Sequence, residues 1–176
     1  MKFCLLLLSL SFVFFLKAQD PEKSTIIGSP TTFEMGGNLV ADNTGNTYLG
    51  GKMGNKALIV KQDPLHQTIW SKTITFAPMA SNSVYLGFLD LLGDTLFGCG
   101  DIEGATGGGA IGTFYFKMNA QTGSIYWCKY EFSSGGYLSS MRYANGKYFL
   151  VGGSLISGLT HGNVQAVSSQ TGNIIW

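Results

Sequence analysis

The chain is poor in charge. Only 12% of its 176 residues are charged, 11 Lys and Arg against 10 Asp and Glu, and they are scattered. No basic stripe or charge run is present to hold nucleic acid or an anionic lipid surface, which sets both partner classes aside. Histidine is limited to two residues and cysteine to three. His66 and His161 have no Cys or acid at ligand spacing, so no zinc site is expected. No serine stands in a G-x-S-x-G context, which removes the nucleophile elbow of a hydrolase. No window carries a sustained helical period, and no segment beyond the first 16 residues is apolar enough to cross a membrane.

The N-terminus has its own character. Met1-Lys2 is a short basic start, Phe3 to Leu16 is apolar with serines, and Lys17-Ala18-Gln19 follows. This is the pattern of a secretory signal peptide over residues 1–18, with Ala18 as the last residue removed. An exported protein, extracellular or periplasmic, is expected, followed by a polar linker over 19–23. Removing Lys2 and Lys17 turns the net charge of +1 into −1. The remaining chain, about 158 residues, suits one domain with a real core.

Glycine is abundant, at 25 residues, and aromatics reach 13%. That mixture favours short strands and tight turns. Apolar runs of four to seven residues alternate with Gly and Asn, and three of them end alike. Gln67-Thr68-Ile69-Trp70, Gly123-Ser124-Ile125-Tyr126-Trp127 and Gly172-Asn173-Ile174-Ile175-Trp176 place Trp70, Trp127 and Trp176 57 and 49 residues apart. A unit of about 50 residues is the mark of a repeat architecture. Each unit reads as a four-stranded antiparallel meander, over about 37–72, 85–131 and 137–176, with Asn173 to Trp176 as the last strand. A gapless shift of 48 residues sets Thr25-Ile26 on Thr73-Ile74, Asp42 on Asp90, Gly45 on Gly93 and Thr47 on Thr95. On that match residues 24–28 are a lone strand that completes the last unit of a closed ring. Cys99 and Cys128 fall on strands separated by a third. That distance is roughly 9–10 Å, beyond the roughly 7 Å reach of a disulfide, so both are expected to be free.

Gly37 to Tyr48 with Ala57 to Pro64 and Ile69 to Thr73 resembles the SBBP-type β-propeller repeat of secreted bacterial proteins. Phe116 to Trp127 and Val167 to Trp176 resemble the quinoprotein-type (PQQ-like) propeller repeat. The resemblance implies an all-β partial propeller of about three four-stranded blades. In such a fold Trp70, Trp127 and Trp176 pack between neighbouring blades. Propellers close with about four to eight blades, so a fragment of a larger propeller is expected, with self-assembly of copies as the other reading. The family's enzymes hold a quinone over a tryptophan beside adjacent cysteines, with calcium. That group is not recognisable here, since Cys99 and Cys128 are not neighbours.

The remaining candidates carry little chemistry. Gly107 to Gly112 has dinucleotide-loop spacing but runs into the strand Thr113 to Phe116 instead of a helix, so a loop is expected. Asp42 to Asn46 lacks the acids of a calcium loop, and Asp42 is expected to cap its turn. Asp101 and Glu103 open the long connection to Gly112, and His161 lies in a second long connection, Gly152 to Gly162. With the short Lys52 to Lys56 connection these form a variable face where ligand contact is placed. Phe97, Tyr115 and Tyr148 are read as core. The sequence thus points to a non-catalytic binding or scaffolding module, with a protein or glycan ligand and no cofactor, metal or catalytic residue. The alternative is part of a quinoprotein-like or carbohydrate-active enzyme whose active site lies outside this segment.

Overall fold

The computed structural model describes residues 34–76, 83–104, 109–132, 136–157 and 159–176. The expected signal peptide (1–18), linker (19–23) and lone strand (24–28) lie outside them, as do Gly107 and Gly108. The described chain is all-β. Eleven strands run β1 Glu34–Ala41, β2 Thr47–Met53, β3 Lys56–Gln62, β4 Thr68–Ile74, β5 Ser83–Leu92, β6 Thr95–Glu103, β7 Ala110–Asn119, β8 Ile125–Phe132, β9 Tyr137–Ala144, β10 Lys147–Ile156 and β11 Leu159–Ser168. They form three antiparallel meanders in chain order: β1-β2-β3-β4, β5-β6-β7-β8 and β9-β10-β11.

The three sheets stack face to face, with the second in the middle. One core, between sheets one and two, gathers Tyr48, Ile59, Ile74, Leu86, Leu89, Phe114, Phe116 and Met118. A second, between sheets two and three, gathers Phe88, Phe97, Cys99, Tyr115, Trp127, Met141, Tyr148 and Leu150. Phe97, Tyr115 and Tyr148 are accordingly buried. The period-2 alternation of strand side chains sends neighbouring residues of β6 and β7 into opposite cores. Cys99 faces the second core and Cys128 packs against the first, and both are free thiols.

Two kinds of β-bulge recur. The first strands break register at Gly36/Asn38, at Leu86/Phe88 and opposite Val151/Gly152. Facing each break, the second strand carries a glycine: Gly51, Gly100 and Gly152. At Gly100 and Gly152 a Cβ would stand 1.9 Å from the carbonyl oxygens of Tyr85 and Tyr137, so no side chain fits. The fourth strands break register just before each tryptophan. Lys61 faces Trp70 while Gln62 faces Thr68, and Lys117 faces Trp127 while Met118 faces Ile125.

Several expectations are corrected. The segment Asn173–Trp176 is not a full fourth strand. It makes one isolated bridge, Val167 to Ile174, and three backbone hydrogen bonds to β11, two at Ala166 and one from the Ser168 N–H to the Asn173 carbonyl. The connections Gly100 to Gly112 and Gly152 to Gly162 are largely strand: β6 runs on to Glu103, β7 starts at Ala110, and β10 and β11 pair without a break from Lys147↔Ser168 to Ile156↔Leu159. Gly100, Gly112, Gly152 and Gly153 serve close packing inside the sheet, whereas Gly109, at a φ of 84°, belongs to the chain reversal between β6 and β7. The 48-residue match joins non-equivalent positions. Counted from the bulges, Val40 opposite Tyr48 corresponds to Asp90 opposite Phe97. Asp90 is therefore inside a strand, whereas Asp42 lies in a turn. The turn after β1 is longer than Gly93-Asp94, and the extra residues shift the two frames.

Candidate functional site

The most constructed feature is the seam between successive sheets. In sheet one the bulge residue Ile69 sets the direction of Trp70. The Trp70 Nε1 donates to the Gln121 carbonyl at 3.1 Å, in the β7–β8 turn of sheet two. In sheet two Trp127 Nε1 donates to the Ser169 carbonyl at 3.3 Å, in the turn that follows β11. A lysine across the ladder from each tryptophan joins the same turn. Lys61 Nζ donates to Gln121 Oε1 at 2.7 Å, and Lys117 Nζ donates to the Ser169 carbonyl at 3.0 Å.

The receiving turns are built alike. Asn119 Oδ1 accepts the N–H groups of Gln121 and Thr122, and Ser168 Oγ accepts those of Gln170 and Thr171. These are side-chain caps of the kind Asn and Ser provide in turns. Each turn ends in a glycine with positive φ, Gly123 at 69° and Gly172 at 70°. The tryptophan ring lies on that glycine. A Cβ at Gly172 would meet Trp127 at 2.8 Å and Lys129 at 3.1 Å, and one at Gly123 would meet Lys72 at 2.9 Å and Trp70 at 3.3 Å. The motif is thus a Trp-x-Lys clasp on a Thr-Gly turn. The sequence reading found the tryptophans and missed Lys72 and Lys129. Aligning the three phrases two residues further would have shown the first two sharing lysine.

Trp176 differs. It is 60% exposed, and its aromatic neighbour is Phe149 of its own sheet, 6.2 Å away between centroids. Among the described residues it does not bridge two sheets. The turn of sheet one also differs: Asp63 caps it through Leu65 and Gln67, and His66 occupies the positive-φ position at 62°.

The expected ligand-face residues are not a cluster. Asp101 and Glu103 are strand residues of β6. Asp101 Oδ1 accepts the Leu138 N–H of sheet three at 2.9 Å. Glu103 pairs with Lys52 of sheet one at 3.3 Å. Burial pushes the Asp101 carboxyl up to about 6; the Leu138 hydrogen bond works against this and the Glu103 charge adds to it. His161 is exposed on β11, opposite Ser154. Among the described residues no three His, Cys, Asp or Glu side chains gather as a metal site. Asp42 caps its turn, accepting from the Thr44 and Asn46 backbone at 2.9 and 3.0 Å. Burial works to raise its carboxyl, but hydrogen bonds from Thr44 and Asn46 outweigh that and hold it far below the usual range.

One open cleft of about 420 Å³ lies on the outer face of sheet one, lined by Gly36, Gly37, Leu39, Leu49, Leu58 and Val60 among others. Its lining is mainly apolar. Its ammonium, Lys52, already faces Glu103. Such a surface can bury an apolar group but supplies no acid, base or nucleophile. No protein-family model matches the chain, and no curated protein matches it at a significant level.

Proposed function

We propose that the chain is a segment of a secreted β-propeller of the SBBP or quinoprotein-like kind and works as a non-catalytic binding or scaffolding module. The observation that carries this reading is the clasp, repeated with the same chemistry at two successive seams. Each seam joins the fourth strand of one meander to the third-to-fourth-strand turn of the next. A rule that adds one sheet to the next in constant orientation generates a fan of blades. Its faces then offer loops and hairpin ends to a protein or glycan. The blades correspond to about 37–72, 85–131 and 137–176, and the basic-then-apolar N-terminus supports export.

The test is expression of the full gene followed by analysis of the exported protein. Processing after Ala18, a colourless protein free of stoichiometric metal, and saturable binding to an immobilised glycan or cell-surface protein are expected. A bound quinone chromophore, a stoichiometric metal or turnover of a glycoside would overturn the binding reading. Retention of residues 1–18 in a cytoplasmic product would overturn export.

A further inference from the structure

In sheets two and three, the turn between the first two strands supports the turn that a tryptophan reaches. The Asp94 carbonyl accepts the Ala120 N–H at 2.8 Å. The Gly146 carbonyl accepts the Ser169 hydroxyl at 2.6 Å and the Ser169 N–H at 3.4 Å. Counted back from Gly100 and Gly152, Gly93-Asp94 and Asn145-Gly146 occupy the same two positions. They differ in chemistry. Asn145-Gly146 is the only Asn-Gly pair in the sequence, and every other asparagine precedes a residue with a side chain.

Asn145 and Gly146 form a two-residue hairpin loop, closed by Ala144 opposite Lys147, with φ of 49° and 75°. Asn-Gly suits such a loop because both positions need positive φ. Both residues are exposed. Among the described residues neither the Asn145 carboxamide nor the Gly146 N–H has a hydrogen-bond partner. Asn119, by contrast, is held by the N–H groups of Gln121 and Thr122. A Cβ on Gly146 would meet nothing within 4 Å, so no neighbour shields its nitrogen. The exposure belongs to the position, since Gly93 and Asp94 are exposed in a sheet that has a neighbour on each face.

We propose that Asn145-Gly146 is a self-modification site, which converts to isoaspartate and thereby loosens the second clasp. The Gly146 nitrogen gives its proton to hydroxide and attacks Asn145 Cγ. A new N–Cγ bond closes a succinimide ring, the Cγ–Nδ2 bond breaks, and the side-chain nitrogen takes up a proton and leaves as ammonia. Water then opens the ring. Opening at the main-chain carbonyl leaves the chain running through Cγ, which is isoaspartate; opening at Cγ gives aspartate. Isoaspartate adds a methylene to the main chain and a carboxylate to the turn. The lengthened loop no longer fits the two-residue hairpin, and the Gly146 carbonyl is drawn off Ser169. The Ser169 carbonyl is the acceptor for Trp127 Nε1 and Lys117 Nζ, so the change reaches the seam between sheets two and three. The first seam lacks this chemistry: its supporting turn has glycine first, and Asp94 precedes the β-branched Thr95. The proposal rests on the turn and the seam, whatever the protein binds.

Peptide mapping by mass spectrometry, on purified protein held in mildly alkaline buffer at physiological temperature, tests it. Ammonia loss with isoaspartate and aspartate at position 145 is expected, faster as pH rises, while Asn43 and Asn119 stay intact. Ser169→Ala should speed conversion, because the hydroxyl that holds the Gly146 carbonyl is gone. Asn145→Gly, which copies Gly93, should abolish conversion and keep the β-sheet circular dichroism spectrum. Converted protein, separated by its added negative charge, should show faster hydrogen exchange across sheet three with β2 and β3 unchanged, and Asn145→Gly held in the same buffer should show no such change. An Asn145 that stays intact in the folded protein while the urea-unfolded chain converts would overturn the proposal. So would isoaspartyl protein with undiminished protection in sheet three.

Discussion

At the scale of single residues, the same backbone position has opposite demands in different sheets. Gly172 and Gly123 combine positive φ with a ring lying directly on them. Gly172→Ala and Gly123→Ala should each destabilise by roughly 1–3 kcal/mol, from left-handed strain and overpacking. His66 holds the same conformation without glycine, so His66→Gly should stabilise by up to about 1 kcal/mol. Urea unfolding of the variants checks both signs. Asp101 gives a pH-dependent case. Its folded value of about 6 lies above the ordinary carboxylate value of 3.8, so the folded chain holds the proton more tightly than the unfolded chain. The group adds stability as pH falls from about 6 towards 4 and withholds it above about 6. Asp101→Asn keeps an acceptor for the Leu138 N–H and removes the charge. After allowance for its partial solvent exposure, it should stabilise the protein by about 1 kcal/mol at neutral pH and by nothing near pH 4. A neutral-pH loss of stability would show that the charged hydrogen bond to Leu138 outweighs desolvation.

At the scale of elements, the bulges before Trp70 and Trp127 decide what those two side chains do, and Trp176 follows none among the named strands. One extra residue reverses which face of the strand a side chain occupies. The three tryptophans should therefore rank by what they reach, not by sequence context. Trp127 is 9% exposed and bonded to the next turn; Trp127→Ala should cost about 3–5 kcal/mol. Trp70, half-buried at an equivalent seam, should cost about 1–3 kcal/mol. Trp176→Ala should stay within about 0.5 kcal/mol in the single chain. Calorimetry of the three variants tests the order. The element level is also where the sequence could be read and where it could not. The turns Asn43-Thr44-Gly45 and Ala120 to Gly123 announce themselves by residue type, and so do the strands around them. Gly100, Gly152 and Gly153 look the same in sequence but sit inside strands, because a neighbouring backbone or side chain occupies the space a Cβ would need. That demand comes from the partner strand, so local composition does not express it, and β6, β7, β10 and β11 run longer than composition predicts. The clasp was half legible: tryptophan is conspicuous, whereas its lysines gain meaning only once the next sheet is in place.

For the whole molecule, the decisive asymmetry is that sheet two is covered on both faces, while among the described residues sheets one and three each present an outer face. The strands β6 and β7 contribute to both cores, through Phe97 and Tyr115 on one side and Leu96, Phe114, Phe116 and Met118 on the other. Burial on both faces multiplies the apolar area lost on opening, at roughly 25 cal/mol per Å², and ladder bonds on both sides of each strand must break together. Among the described residues the outer half of β11 has neither advantage: Leu159 to Gly162 are all exposed, with one ladder only. Native-state hydrogen exchange should follow this gradient. The slowest amides should lie in β6 and β7, near the global stability; β3 and β10 should be intermediate; β11 from Leu159 to Asn163 should be fastest in the single chain. Severing one seam should preserve the order and shift the scale. In Trp127→Ala, sheet three should exchange as a unit at lower free energy, while β2 and β3 keep the protection that the first core gives them. Uniform loss of protection in all three sheets would mean that the stack folds as one indivisible unit, and that the two seams are coupled through sheet two more strongly than their separate cores imply.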